Sequence, residues 1–555
     1  MRRFRLVLKI ALAGTFLAAL LAPWGLGWWR GGPTVLPRPL PHGHQELAWL
    51  QPATSTSTWE RLMAGLQRLQ HAWPELQVDD RGAFPEQTAA VPEVALWLGG
   101  SSEKLWIRWY KLTSEAGVGH WVRELARRDP SPLAIIGGSS SDRARDLAKA
   151  LREPIAWQTG APLLLLTTAS ADRVRLDDDQ TLGLTPAPID PTREPWHNLM
   201  DIYPGRTFRF CFTNSQMAEA VSDFLWGRPE LRPHGCLSAS LGAVGQAAGD
   251  AWGVAGWLVT GAHALIVSAQ WLDDPYSIDL AERFMEVFAR SERKPNSVLL
   301  SQLPYSVGGL LAPNPPEATE AQLVAANLQR LPLHRPLLVL PADVKTLRRF
   351  LRTLATIAPV EMRRSVAVTG DSLAFNVIYR DRDIAWNVLD LPMSLVFFCH
   401  ADPVAWPNSQ APSPDASATD DELLNAELLR IVVEAAYEIP TAGQAPRLLG
   451  HPEELARRLH SRVPPFFQAN GDRRGGSGEY VVWLQPEIEA DRVVPRAVIE
   501  IWTRSLDGDG VPAWTRRRRL VAPTFVGAGE ESGCCGFGRA FTIIQQIGQG
   551  FSREV

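Results

Sequence analysis

The chain is short of cysteine, of excess charge and of catalytic signatures. Its five cysteines, Cys211, Cys236, Cys399, Cys534 and Cys535, are too few and too irregularly spaced for a disulfide framework. None stands in a CxxC pair, which excludes zinc-ribbon and thioredoxin-like readings. Cys211 and Cys399 lie in apolar runs and read as buried thiols, whereas the pairing of Cys534-Cys535, in a Gly-rich stretch, stays open. The formal net charge of -4 is close to neutral for 555 residues, so no basic excess points to nucleic acid as a partner. The one dense basic run, Arg516-Arg517-Arg518-Arg519, reads as a solvated strand or loop, with contact to an anionic surface as the alternative. No GxSxG, HExxH, P-loop or strand-linked GxGxxG occurs, and no motif asks for a cofactor or a metal. The acidic turns Asp273-Asp274 and Asp177-Asp178-Asp179 read as solvated turns.

What is present describes an exported globular chain. Hydrophobic residues make up 45% and charged ones 21%, an ordinary composition with length for two or three domains. Residues 1–30 stand apart. Arg2, Arg3, Arg5 and Lys9 precede an apolar run that ends in Trp24, Trp28 and Trp29. About 20 apolar residues are enough to span a bilayer, and the positive end stays cytoplasmic. The expectation is therefore an uncleaved signal anchor, with a cleaved signal peptide as its competitor, and an extracytoplasmic remainder in either case. Residues 31–44, rich in Pro and Gly, read as a linker.

From Glu46 onward, short apolar runs alternate with helical spacing. Leu133-Ala134-Ile135-Ile136 breaks at Gly137-Gly138-Ser139-Ser140-Ser141 and opens a helix pattern through Ala144, Leu147, Ala148 and Leu151. Leu163 to Leu166 breaks at Thr167-Thr168-Ala169-Ser170. A buried parallel strand that ends in a hydroxyl-rich turn and a helix is the unit of an open α/β sheet, whose ligands sit outside the carboxyl ends of the strands. Small hydroxyls and free backbone N–H groups there suit a carboxylate. Residues 94–98 and 105–110 predict a hairpin, and Phe208-Arg209-Phe210 a further strand. A second set with the same grammar starts near Gly235, with strands at 264–267, 297–300, 336–340, 366–368 and 393–398. Asp274-Pro275-Tyr276-Ser277 and Thr369-Gly370-Asp371-Ser372 are among its turns. Helices at about 421–437 and 452–462 come next, then a hairpin of residues 466–472 with 480–484. Strand-like pieces at 497–503 and 520–525 come after it, with no role read for them.

Two such lobes in series, exported, resemble the type I periplasmic binding proteins, in particular the branch of leucine/isoleucine/valine-binding receptors. The resemblance rests on the order of several short words: Leu50-Gln51-Pro52 with its Thr/Ser loop, Ile135 to Ser141, Pro162 to Ser170, Phe208-Arg209-Phe210 with Asn214-Ser215-Gln216, Asp274 to Ser277, and Phe467-Gln468-Ala469-Asn470-Gly471-Asp472. It covers roughly residues 46–486. It implies a two-lobed α/β fold with a central ligand cleft, divided as an N-lobe over 45–230 and a C-lobe over 231–408. Closing helices and a hairpin over 409–490 and an extension over 491–555 complete the division.

The resemblance further implies a non-catalytic receptor for ABC-type uptake or sensing, with a small polar ligand and a permease or sensor as partners. The hydroxyl turns would hold a ligand carboxylate through Ser139, Ser140, Ser141, Thr167, Thr168 and Ser170. Helix capping is the competing explanation of these residues. Asn214 stands where the family often carries an acid, Tyr276 matches a cleft aromatic, and Asp371 is available as a negative group. An exported hydrolase using His400 and Asp402, and a binding fold reused as a protein-interaction scaffold, are the other readings.

Overall fold

The computed structural model describes residues 39–523, apart from 177–195, 236–263, 291–297, 306–320, 379–387, 404–418 and scattered shorter stretches. The anchor of residues 1–30, Asp177-Asp178-Asp179, Cys236 and Cys534-Cys535 lie outside the described residues. Among those described, no helix is long and apolar enough to cross a membrane.

The first body is built on a seven-stranded sheet. In chain order its strands are β1 (Gln45–Pro52), β2 (Leu76–Asp79), β3 (Glu93–Leu98), β4 (Leu105–Leu112), β5 (Ala134–Gly137), β6 (Leu163–Leu166) and β7 (Thr207–Arg209). The spatial order is β2-β3-β4-β1-β5-β6-β7, with β4, β1, β5, β6 and β7 parallel and β3 antiparallel to both β2 and β4. The expected hairpin of residues 94–110 is the β3–β4 pair, which β1 joins in parallel.

Central strands covered on both faces bury nearly every side chain, as β1, β5 and β6 do. Helix α1 (Thr56–Ala72) packs one face of this sheet, and α2 (Val118–Ala126) and α3 (Ser141–Arg152) pack the other. Charge inside this body is neutralised locally. Buried Glu46 accepts from Tyr110 Oη at 2.6 Å and pairs with Arg108 at 3.3 Å and Arg128 at 2.9 Å.

The second body carries an eight-stranded sheet: β8 (Ala264–Trp271), β9 (Val298–Tyr305), β10 (Leu337–Val339), β11 (Val366–Val368), β12 (Ser394–Cys399), β13 (Glu479–Glu489), β14 (Arg492–Leu506) and β15 (Pro512–Pro523). The order β9-β8-β10-β11-β12 is parallel, and β13, β14 and β15 continue the same sheet antiparallel. The strand-like pieces near the end of the chain are thus the long edge of this sheet. The expected hairpin of 466–472 with 480–484 does not form. Residues 466–474 fold back on themselves through one bridge, Phe467 with Arg473, and 480–484 pair with β12 instead.

Core packing fixes where the chain passes between the bodies. Helix α4 (Asn214–Trp226), directly after β7, buries Met217, Val221 and Phe224 against Leu337, Val368, Phe398 and Val481 of the second sheet, beside α5 (Pro275–Arg290). Helix α6 (Asp420–Ala436) returns after β12 and buries Leu428, Leu429 and Val432 against Trp59, Leu62 and Leu66 of the first body. Phe467 still belongs to that first core, and β13 lies in the second sheet. The described chain therefore crosses near 210–214, between 399 and 420, and between 467 and 479.

Candidate functional site

The crossings gather the carboxyl ends of strands from both sheets at one interface. From the first body come the turns after β6 and β7, and from the second the turns after β11 and β12 with the start of α5. His400 is the centre of this contact. Its Nδ1 accepts from the Phe212 backbone N–H at 3.2 Å, and its Nε2 lies 2.6 Å from Asp371 Oδ2. An amide N–H can only donate, so Nδ1 is the acceptor and the ring proton sits on Nε2, donated to Asp371. Asp371 Oδ1 in turn accepts from Tyr276 Oη at 2.8 Å. Burial raises the Asp371 carboxyl, but the neighbouring His400 and the Tyr276 hydroxyl lower it by more, leaving it below its ordinary value. Burial and the Asp371 charge push the Tyr276 hydroxyl well above its ordinary value.

Gly370 makes the approach possible, because a Cβ there would stand 2.6 Å from Tyr276 Oη. On its other side, the His400 backbone N–H donates to Asp420 Oδ2 at 2.8 Å, and burial pushes Asp420 up to about 7. His400 thus links all three elements that meet here: the first crossing, the second crossing and the β11 turn.

A second knot lies alongside. Asp279 Oδ2, on α5, accepts from Asn214 Nδ2 and from the Asp172 backbone N–H, each at 2.8 Å. Asp172 Oδ2 accepts from Ser215 N at 2.8 Å. Burial first, then the Asp172 charge, raises Asp279 to about 7. Arg173 adds an ion pair to Glu282 at 3.1 Å. Sequence reading missed both Asp172 and Asp279. The usable signal was the spacing of Tyr276, Asp279 and Arg283, which puts three polar groups on one face of the helix.

The residues singled out from the sequence divide into two groups. Tyr276 and Asp371 are brought together, and they engage His400. Asn214 is buried and engages Asp279 and the Tyr276 carbonyl, with its Oδ1 left without a partner. On the first body, Thr168 Oγ1 donates to Ser139 O at 3.2 Å and ties the β5 and β6 turns into one rim. Ser139 Oγ accepts from Arg143 at 3.0 Å, and Ser141 Oγ accepts from Ala171 N at 3.3 Å.

Ser140 is the N-cap of α3, yet its side chain makes no capping hydrogen bond. Neither Ser140 nor Thr167 has a side-chain partner among the described residues, and Ser170 Oγ is buried without one. Capping therefore does not account for these three hydroxyls. His400 faces Asp371 and not Asp402, which pairs with Arg517 at 3.9 Å. Asp274 Oδ1 accepts from Tyr276 N at 3.1 Å, as a turn residue does. Cys211 and Cys399 are buried free thiols.

Among known proteins, no family model matches the chain, and no curated protein does. Solved structures do resemble it: they are ABC transporter substrate-binding proteins and extracellular ligand-binding receptors. One, an ABC transporter substrate-binding protein from Desulfitobacterium hafniense, is 14% identical with a TM-score of 0.45, covering 81% of this chain and 98% of that one. A leucine-binding protein from Thermotoga maritima is 13% identical with a TM-score of 0.44, covering 86% and 99%. A solute-binding protein of an ABC transporter from Rhodopseudomonas palustris, solved with p-hydroxybenzoic acid, is 10% identical with a TM-score of 0.43, covering 88% and 100%. The two-bodied arrangement rests on the strand orders and the crossings of this chain, not on these low scores.

Proposed function

We propose that the chain is an extracytoplasmic two-lobed receptor of the type I periplasmic binding protein kind. In this reading it is held at the membrane by residues 1–30 and closes around a small carboxylate-bearing solute for uptake or sensing with a membrane partner. The observation that carries the reading is the state of the first-body rim. Ser140, Thr167 and Ser170 keep hydroxyls that no protein group uses, at the ends of adjacent parallel strands where ligands of such sheets bind. Arg143 and the start of α3 add positive potential beside them.

The second-body groups support a plain carboxylate more than an amino acid. Asp371, the acid available for a ligand ammonium, is already paired with His400, and Asn214 is tied to Asp279. The enzymatic alternative loses its base on the same ground. Both ring nitrogens of His400 are engaged, so none is left to accept a proton from substrate. Closure would add contacts from the second body to a ligand first held by the rim.

The test is a thermal-shift screen of carboxylates against the full chain, repeated with Ser140→Ala/Thr167→Ala. A binding carboxylate should raise Tm. In the double variant each lost charge-assisted hydrogen bond should cost about 1.5–3 kcal/mol of affinity. An unchanged shift in the double variant removes the rim from the site.

A further inference from the structure

A cavity lies away from the interface, where the end of α4 meets the antiparallel extension of the second sheet. It measures about 630 Å³, within the usual range of small-molecule sites, and Trp483, Trp502, Trp514, Arg228, Glu500 and Arg516 are among its lining residues. Most of its polar groups are satisfied from within. Trp502 Nε1 donates to Glu500 at 3.1 Å, Trp514 Nε1 donates to Asp223 at 3.0 Å, and Arg516 pairs with Glu500 at 2.8 Å.

Two donors are not. Trp483 is 7% exposed, and its Nε1 is buried without a hydrogen-bond partner. Arg228 stacks over Phe224 at 3.6 Å and Trp502 at 3.9 Å, and spends one N–H on the Phe224 carbonyl. It has no ion pair among the described residues. A guanidinium stacked on aromatics without a carboxylate, beside an unused indole N–H, is unusual, because buried donors are nearly always paired. Burial lowers the Arg228 guanidinium to about 10, against the opposing pull of the Glu230, Glu500 and Asp223 carboxylates.

We propose that this cavity is a second ligand site, separate from the interlobe rim, for a small molecule with a flat apolar ring and a carboxylate. The tryptophan walls would take the ring, and Arg228 with Trp483 Nε1 would take the carboxylate oxygens. Of the charged lining residues, Glu500 pairs with Arg516 and Glu230 is exposed, which leaves Arg228 the half-buried charge without an ion pair among the described residues. Ring and anion are both required: a bare anion forgoes the tryptophan faces, and a neutral ring leaves the two donors unpaired.

The test is calorimetric titration of the full chain, in the Ser140→Ala/Thr167→Ala background, with benzoate, benzamide and acetate as probes. Benzoate should bind, with benzamide and acetate about tenfold weaker or worse. Arg228→Gln and Trp483→Phe should each weaken benzoate about tenfold. Trp483→Phe keeps the aromatic wall and removes only the N–H, so it stands as the second variant should Arg228→Gln disturb the fold. Absence of benzoate binding, equal binding of benzamide, or unchanged affinity in a folded Trp483→Phe chain would each overturn the proposal.

Discussion

His400→Ala should lower the stability of the chain by about 3–5 kcal/mol, the loss of a charge-assisted hydrogen bond to Asp371, about 1.5–3 kcal/mol, together with a buried N–H left unsatisfied, about 1–3 kcal/mol. The His400 side chain is 3% exposed and the Asp371 side chain 14%, so water does little to replace what is lost. The substitution leaves Asp371 with the Tyr276 hydroxyl alone and strips the Phe212 N–H of its acceptor. A further part of the loss comes from ring packing, since His400 stacks on Phe212 and meets Phe398 edge-on. Replacing both partners with apolar groups, Asp371→Leu with His400→Phe, should recover part of the loss, because no buried charge is then stranded, while the Phe212 N–H and the Tyr276 hydroxyl still lack their acceptors. Urea denaturation of the three chains measures this. A single variant as stable as the parent, or a double variant worse than the single, would contradict the role given to His400.

Stability should fall as pH rises between about 4 and 7. Asp279 and Asp420 both have folded values near 7 against an ordinary 3.8. Below 3.8 both groups are protonated in the folded and the unfolded chain, and stability is at its full value. Between the two values the folded chain holds protons that the unfolded chain has released, so raising the pH favours unfolding. Above 7 the two states bind equally and the slope ends. Asp279 joins the bodies through Asp172 and Asn214, so its ionisation beside Asp172 also loosens the contact between them. Asp279→Asn keeps an acceptor for those donors and should flatten part of the slope. Denaturation midpoints at a series of pH values check this, and a flat or rising profile for the parent chain contradicts it.

The parallel halves of both sheets were legible because each strand is an apolar run that stops at a turn and yields to helical spacing, as in Leu163 to Leu166 or Ala134 to Gly137. Of the antiparallel extension, the strand pieces at 480–484, 497–503 and 520–525 were legible but their place in the second sheet was not. In β15, the edge strand, Arg516-Arg517-Arg518-Arg519 reads as loop as readily as strand. The hairpin read at 466–484 had true local signals. Asn470-Gly471 does make a tight turn, with Gly471 at φ 93°, but the returning strand takes β12 as its partner over a distance of about 80 residues in sequence.

The site divides the same way. Hydroxyls at the ends of β5 and β6 could be read from local order. The engagement of Tyr276 with Asp371, Asp371 with His400 and His400 with Phe212 joins residues 95, 29 and 188 positions apart, and no local spacing announces it.

The central claim is that two bodies hinge at the crossings and close on a ligand held first by the Ser140–Thr167 rim. Small-angle neutron scattering of the full chain in contrast-matched detergent tests it, with and without a carboxylate that raises Tm. A smaller radius of gyration with ligand, absent in Ser140→Ala/Thr167→Ala, is the predicted result. Saturating binding that leaves the radius unchanged would contradict it.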